Sequence, residues 1–371
     1  MKTKNLLGAI ALFALVFTGC KKDSTEEQPT PQISKMEVFN NDVPFRTEKN
    51  LRIGYSIKTW EFAKDGLVLE QIVILDNNTK AELMKIEKAD LPKINKNPLP
   101  TNPYFKVDSL SSYYLSIQLP IPLNQTVPTS IFHRFIFQDT VKNTTVTVEG
   151  AQFTPRTSES PLVIASPVKG KNWMFINQST YNYHFNAMFF VNGKIGTGER
   201  YAFDNLQFDD DGNYFIGDPT KNESYFNYKD TLYAIADGTV MLIQDNLPEN
   251  DGNSQNIKFN TANELAGNYL ILDIGGGHYA FYCHCNPGSF MTKVGRTVKE
   301  GDPIALLGNS GNSTAPHLHF QICDSQELFM TNGLPFVLKQ YTKVGENGFL
   351  TPPSTVYSNS MMEEYSEISF E

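Results

Sequence analysis

The sequence predicts an all-β chain, and three observations carry that prediction. Short runs in which apolar and polar residues alternate recur along it, as in LRIGYSIKT, SIFHRFIFQD and TLYAIADGTVMLIQD; turn residues separate these runs; and helical periodicity is almost absent. At 371 residues the chain is too long for one core of ordinary size, so two successive β units are expected. Forty per cent hydrophobic and 12% aromatic residues supply material for both cores.

Residues 1–19 stand apart from either unit. Lys2 and Lys4 precede an apolar run from Leu6 to Phe17 that is too short to cross a bilayer, and Thr18 and Gly19 lead directly into Cys20. The arrangement resembles a bacterial lipoprotein signal, which implies that Cys20 becomes the lipidated first residue of an exported chain held at a membrane surface in the cell envelope. Residues 20–32, acidic and Pro-containing, then read as a flexible tether. Removing the leader leaves 29 basic against 40 acidic residues, a balance that excludes nucleic acid as a partner. Export also argues against cytosolic cofactors such as ATP.

From residue 33 to 158, six or seven alternating runs predict an antiparallel β-sandwich of immunoglobulin-like size. His133 stands alone there and reads as structural. The Ser/Thr/Pro-rich stretch TPRTSESPLV marks the boundary. Residues 159–345 form the second β unit, interrupted by a polar stretch, QDNLPENDGNSQNIKFNTANELAGN, expected to be an exposed loop. Residues 346–371 read as a loose acidic tail. Besides Cys20, the cysteines are Cys283, Cys285 and Cys323, an odd set that makes no disulfide framework.

Five of the six histidines fall in the second unit. In PHLHF, His317 and His319 point to one face of a strand while Leu318 and Phe320 point to the other, toward a core. His284 ends the run YAFYCH just before the turn CNPGS. By alternation it shares a face with His278, Ala280 and Tyr282, and Cys283 and Cys285 project away from it, so a CHC metal site conflicts with strand geometry. His278, beside the GGG turn, reads as solvent-facing. A catalytic zinc site needs about three protein ligands and an open position. His184 and an aspartate such as Asp204 are upstream candidates, and the HExxH helix of many zinc proteases is absent. Spacing permits a His/Asp zinc site without choosing its members.

The segment from ADGTV through HYAFYCHC and VKEGDPIALLGNSGNSTAPHLHF, about 110 residues, resembles the lysostaphin/LytM type of zinc endopeptidase, whose strand and loop motifs occur in this order. The resemblance implies an antiparallel β domain with duplicated hybrid-motif hairpins. It also implies one zinc per chain and hydrolysis of peptide bonds in peptidoglycan by a zinc-activated water. Carried over by motif, His319 is a zinc ligand, His317 and His284 are the two catalytic imidazoles, and His184 and Asp204 complete the ligand set. The 20 residues from His184 to Asp204 depart from the family's short spacing, and FNAMFFVNGKIGTGERYAF, with Gly193, Gly196 and Gly198, must fold back as a hairpin. Asp209, Asp210 and Asp211 compete with Asp204 but read more simply as a solvated turn. An inactive, wall-binding or regulatory lipoprotein of the same fold is the alternative. The hairpins also resemble lipoyl and biotinyl carriers, but no lysine stands at the matching tip.

Overall fold

The computed structural model describes residues 36–96, 112–176, 184–191, 194–254, 257, 261 and 264–370. The leader at 1–19, the lipidation candidate Cys20, the tether to residue 32 and Gly193 lie outside the described residues. Among the described residues no helix is long and apolar enough to cross a membrane.

Strands dominate, as alternation predicts. In the first part of the chain, one antiparallel sheet runs Glu37–Phe39, Asn50–Trp60, Ser112–Pro122, Asn95–Lys96, with Phe45–Arg46 also paired to Asn50–Trp60. A second runs Glu82–Glu87, Leu67–Asp76, Ile131–Asp139, Thr144–Phe153. Alternate residues such as Ile53, Tyr55 and Ile57 from the first and Ile131, Phe135 and Phe137 from the second share one core, each large apolar side chain contributing roughly 1.5–3 kcal/mol.

His133 occupies one of these inward positions. It is fully buried between the Tyr55 hydroxyl (2.7 Å) and the Ala151 carbonyl (3.0 Å), a structural role. Burial lowers its pKa from 6.5 to about 4. The unfolded chain therefore takes up a proton near 6.5 that the folded chain refuses, so stability is intact above that pH and falls as pH drops toward 4. Denaturant titrations at pH 7 and about pH 4.5 are expected to differ by about 2–3 kcal/mol more in the native chain than in His133→Gln. Equal differences would remove His133 as the cause.

The later part of the chain is built on a larger sheet, eleven-stranded among the described residues. Its order is Leu162–Ile164, Phe336–Glu346, Ser366–Phe370, Gly170–Ile176, Phe203–Gln207, Leu318–Cys323, Tyr279–Cys285, Asn268–Asp273, Gly238–Gln244, Thr297–Val298, with Phe349–Ser360 paired to Phe336–Glu346. Its core takes in Trp173, Phe203, Tyr282, Leu318, Phe320 and Phe336, so Leu318 and Phe320 do face inward as HLHF requires.

The expected loose tail is corrected here. Phe349–Ser360 and Ser366–Phe370 are strands, and the latter lies between Phe336–Glu346 and Gly170–Ile176. The short alternation SEISF outweighs the acidic composition, because Ile368 and Phe370 enter the core together with Met361 and Met362. The acids are also used: Glu363 pairs with Arg52, and Glu367 is buried.

Arg52 belongs to the first set of sheets, and this pair is one of several that join the two parts. Glu48 accepts from Lys343 (2.7 Å), Tyr341 (3.2 Å) and Ser366 (3.1 Å). Arg200, fully buried, pairs with Asp42 at 3.1 Å. Gly54 is required at this junction, since a Cβ there would stand 2.0 Å from the Tyr201 hydroxyl. Removing one partner of a buried ion pair leaves an uncompensated charge at a cost of about 3–5 kcal/mol.

Candidate metal centre and catalytic histidines

The strand Leu318–Cys323 lies between Phe203–Gln207 and Tyr279–Cys285, and its register sets Asp204 and Cys283 opposite His319. Directly opposed residues on neighbouring strands touch, and the Asp204 carboxylate reaches His319 Nδ1 at 3.0 Å. The 20-residue excursion does fold back. His184 opens a turn, Phe189–Val191 pairs with Lys194–Gly196 as a hairpin, and the turn through Arg200 leads into the Asp204 strand. His184 Nδ1 then lies 3.3 Å from the Ala202 carbonyl, with Nε2 3.6 Å from Asp204.

His284 reaches the same place by a route that strict alternation misses. Ala280 and Tyr282 point into the main core while Phe281 and Cys283 face the other side of the sheet, the side of His319. Pure alternation would bury His284 with Tyr282, contrary to what the site needs. Its φ of 62° and an extra residue in this strand, where Tyr282 faces Leu270 but Cys285 faces Asn268, form a bulge that reverses the parity. Cys285 thereby joins the main core and Cys283 the site side, so the expectation that both cysteines project away from His284 on one face is corrected. Burial raises both thiol pKa values, which keeps both thiols protonated near neutral pH.

Five groups converge. Ring centroids are 4.7 Å apart for His184 and His319, 4.7 Å for His284 and His317, and 5.9 Å for His284 and His319. His317 Nε2 is 3.6 Å from Asp204. Each imidazole also has one nitrogen tied to an acceptor. A backbone carbonyl can only accept, so Nδ1–H donates from His284 to Ser310 (2.7 Å), from His317 to Ala315 (2.9 Å) and from His184 to Ala202. In those three rings Nε2 keeps its lone pair. In His319 the polarity is reversed: Nε2 donates to Gln321 Oε1 at 2.9 Å, leaving Nδ1 for the centre.

Charge follows this geometry. Burial lowers the His184 pKa to about 4, and burial with the neighbouring His317 and His319 lowers that of His284 well below its ordinary value, so both rings stay neutral. Burial also opposes charge on His319, but its bond to the Asp204 carboxylate outweighs that and raises its pKa to about 9. Asp204 is held well below the usual carboxylate range despite burial, because histidines surround it. Asp209 does not compete with it, since its Oδ1 accepts from the backbone N–H groups of Asp211 and Asn213 and caps its own turn.

The loop GNSGNST is scaffolding for the site. Ser310 bridges the Asn268 N–H and the Cys285 carbonyl (2.9 Å each), and Asn250, in the stretch expected to be an exposed loop, is buried and donates to the Gly311 and Ser313 carbonyls. Gly311, with φ of 73°, has no room for a Cβ, which would stand 2.3 Å from the Gly267 nitrogen. Gln321 was missed by sequence reasoning, although its place two residues after His319 on the same strand face is a usable signal. Its amide also donates to Cys323 Sγ at 3.2 Å, which orients it. Partners that orient metal-binding histidines typically carry 10–100-fold in affinity. Gln321→Leu is therefore expected to weaken zinc binding about tenfold or more in a chelator competition, and unchanged affinity would rule this role out.

His184, Asp204 and His319 each offer a ligand atom within 4.8 Å of the others. Two imidazole nitrogens and a carboxylate are a donor set that zinc accepts, with positions left open. The class defined is thus a His/Asp metal centre flanked by a pair of neutral-capable imidazoles.

Residues 225–329 match the profile of Peptidase family M23, a span that includes His284, His317 and His319 while His184 and Asp204 lie ahead of it. An uncharacterized metalloprotease of Haemophilus influenzae is 32% identical over 94 residues, 25% of this chain and 18% of that protein. The peptidoglycan DD-endopeptidase ShyB of Vibrio cholerae is 40% identical over 57 residues, 15% of this chain and 13% of that protein. The catalytic domain of the antimicrobial peptidase lysostaphin from Staphylococcus simulans is 25% identical over 36% of this chain and 70% of that domain, with a TM-score of 0.22. The chain thus spans less than a fifth of the length of the two curated relatives named.

Proposed function

We propose that this chain is a zinc metalloendopeptidase that hydrolyses peptide bonds of bacterial peptidoglycan, in cross-links or stem peptides, from a lipid anchor at Cys20 in the cell envelope. The observation that carries the reading is the meeting of His184, Asp204 and His319 within 4.8 Å, with His284 and His317 beside them. The names of relatives that act on peptidoglycan support the substrate. No member of the set is lost, which weighs against an inactive wall-binding protein.

His184 Nε2, an Asp204 oxygen and His319 Nδ1 would hold one zinc. When bound, zinc supplies a Lewis acid for the scissile carbonyl and lowers the pKa of water. The rest is the work of the chain. With Nδ1–H fixed to Ser310 and Ala315, His284 and His317 present bare Nε2 atoms. Such an atom accepts a proton from the attacking water and, once protonated, donates to the oxygen gaining charge or to the departing amine. Fixed tautomers remove the cost of reorienting these rings during the reaction.

The test is incubation of purified peptidoglycan with the zinc-loaded chain and with the chelated one. Soluble fragments bearing new amino and carboxyl termini are expected only from the zinc-loaded sample. If the loaded chain releases nothing from any peptidoglycan chemotype, the reading falls.

A further inference from the structure

The sheets before residue 154 do more than precede the metal centre: they grip the excursion that creates it. Asp42 Oδ2 accepts from Arg200 Nη1 (3.1 Å) and from the Tyr201 hydroxyl (2.6 Å), and Arg200 also donates to the Asn40 carbonyl (3.3 Å) and to Ser56. Asn40 donates to Thr197 Oγ1 at 3.1 Å, and the ring of Tyr114 meets that of Phe190 at 5.2 Å. Phe190, Thr197, Arg200 and Tyr201 all lie between His184 and Asp204.

Arg200 and Tyr201 pass the grip on to both upstream ligands. The Arg200 guanidinium stands 5.2 Å from the ring of Phe185, and the Tyr201 ring meets the same ring edge-on at 5.8 Å. Phe185 is fully buried and directly follows His184. On the other side, Ala202 offers its carbonyl to His184 Nδ1, and Asp204 is two residues further on. Among the described residues the excursion is closed by a short hairpin, by the His184–Ala202 bond and by the Phe185–Tyr201 contact, and the last two run through or beside the residues that Asp42 holds.

We propose that Asp42 is a positioning residue for the metal centre, acting through Arg200 and Tyr201 to preorganise His184 and Asp204. This rests on the metal-centre reading above. The same buried contacts could have served adhesion alone, and Glu48 provides the comparison. It joins the two parts equally well, through Tyr341, Lys343 and Ser366, without touching the excursion.

Zinc dissociation constants, from competition with a chromogenic chelator on the full chain, separate the two roles. Asp42→Asn keeps the shape and removes the charge opposite Arg200. It is expected to weaken zinc binding about tenfold or more. Glu48→Gln is expected to stay within about twofold of the native value even where it lowers the melting temperature as much, because its partners hold no ligand. If Asp42→Asn does not fold, Tyr201→Phe takes its place, losing one hydroxyl and no charge, with an expected weakening of about threefold or more. Native zinc affinity in the folded variant, or equal losses in Asp42 and Glu48 variants of equal melting temperature, overturns the proposal. Should the native chain bind zinc no better than His319→Ala, the metal-centre reading itself fails and this inference falls with it. Native binding that is lost in His319→Ala but kept in Asp42→Asn defeats the positioning role alone.

Discussion

His319→Ala is expected to lower peptidoglycan hydrolysis by roughly 10³-fold or more and to leave the purified chain without stoichiometric zinc. His319 sits at the middle of the register, opposite Asp204 and Cys283 and tied through its other nitrogen to Gln321. Its loss removes one of three donors and leaves the Asp204 carboxylate, 13% exposed, facing an imidazole that burial keeps neutral. Release of fragments from peptidoglycan gives the activity, and elemental analysis gives the zinc. A variant that keeps one zinc per chain would mean that the metal is held elsewhere.

The second large effect separates holding the metal from moving protons. His284→Asn and His317→Ala are each expected to reduce kcat by about 10²–10⁴-fold with zinc retained. Asparagine is the better choice at position 284, where φ is 62°, because it tolerates left-handed backbone and keeps the bulge. The double variant should lose little more than the worse single one if the two rings act on one proton path. Loss of zinc from either single variant would instead make that histidine a ligand.

The sequence reads well wherever a local period governs. Alternation in HLHF correctly sends Leu318 and Phe320 to the core and His317 and His319 to the other face, and the β character of the fold follows from the same rule. Alternation fails at His284, because one extra residue and one left-handed φ, neither visible in a period-2 pattern, turn the ring to the opposite side. Composition fails at the C-terminus, where acidity suggested a solvated tail although five residues, SEISF, suffice to place Ile368 in the core. The polar residues of GNSGNST hide their role for a different reason. Their partners, Asn222, Asn250 and Asn268, are 40–90 residues away in the chain, and only the folded structure brings them together. Asp42 was silent for the same reason, being 158 positions from the arginine it neutralises.

Those separations also order events in time. The centre draws on residues 184, 204 and 319, and its upstream half is gripped by residues 40–56. Contacts this distant close late in folding, since loop entropy is spent before they return any energy. A growing chain that has not yet produced His319 holds an incomplete donor set, and a finished chain whose first sheets are unpaired lacks the anchor for His184. If the centre holds zinc as proposed, capture of the ion is expected to fall at the end of folding, with its uptake lagging the burial of Trp173 and tracking the slowest kinetic phase.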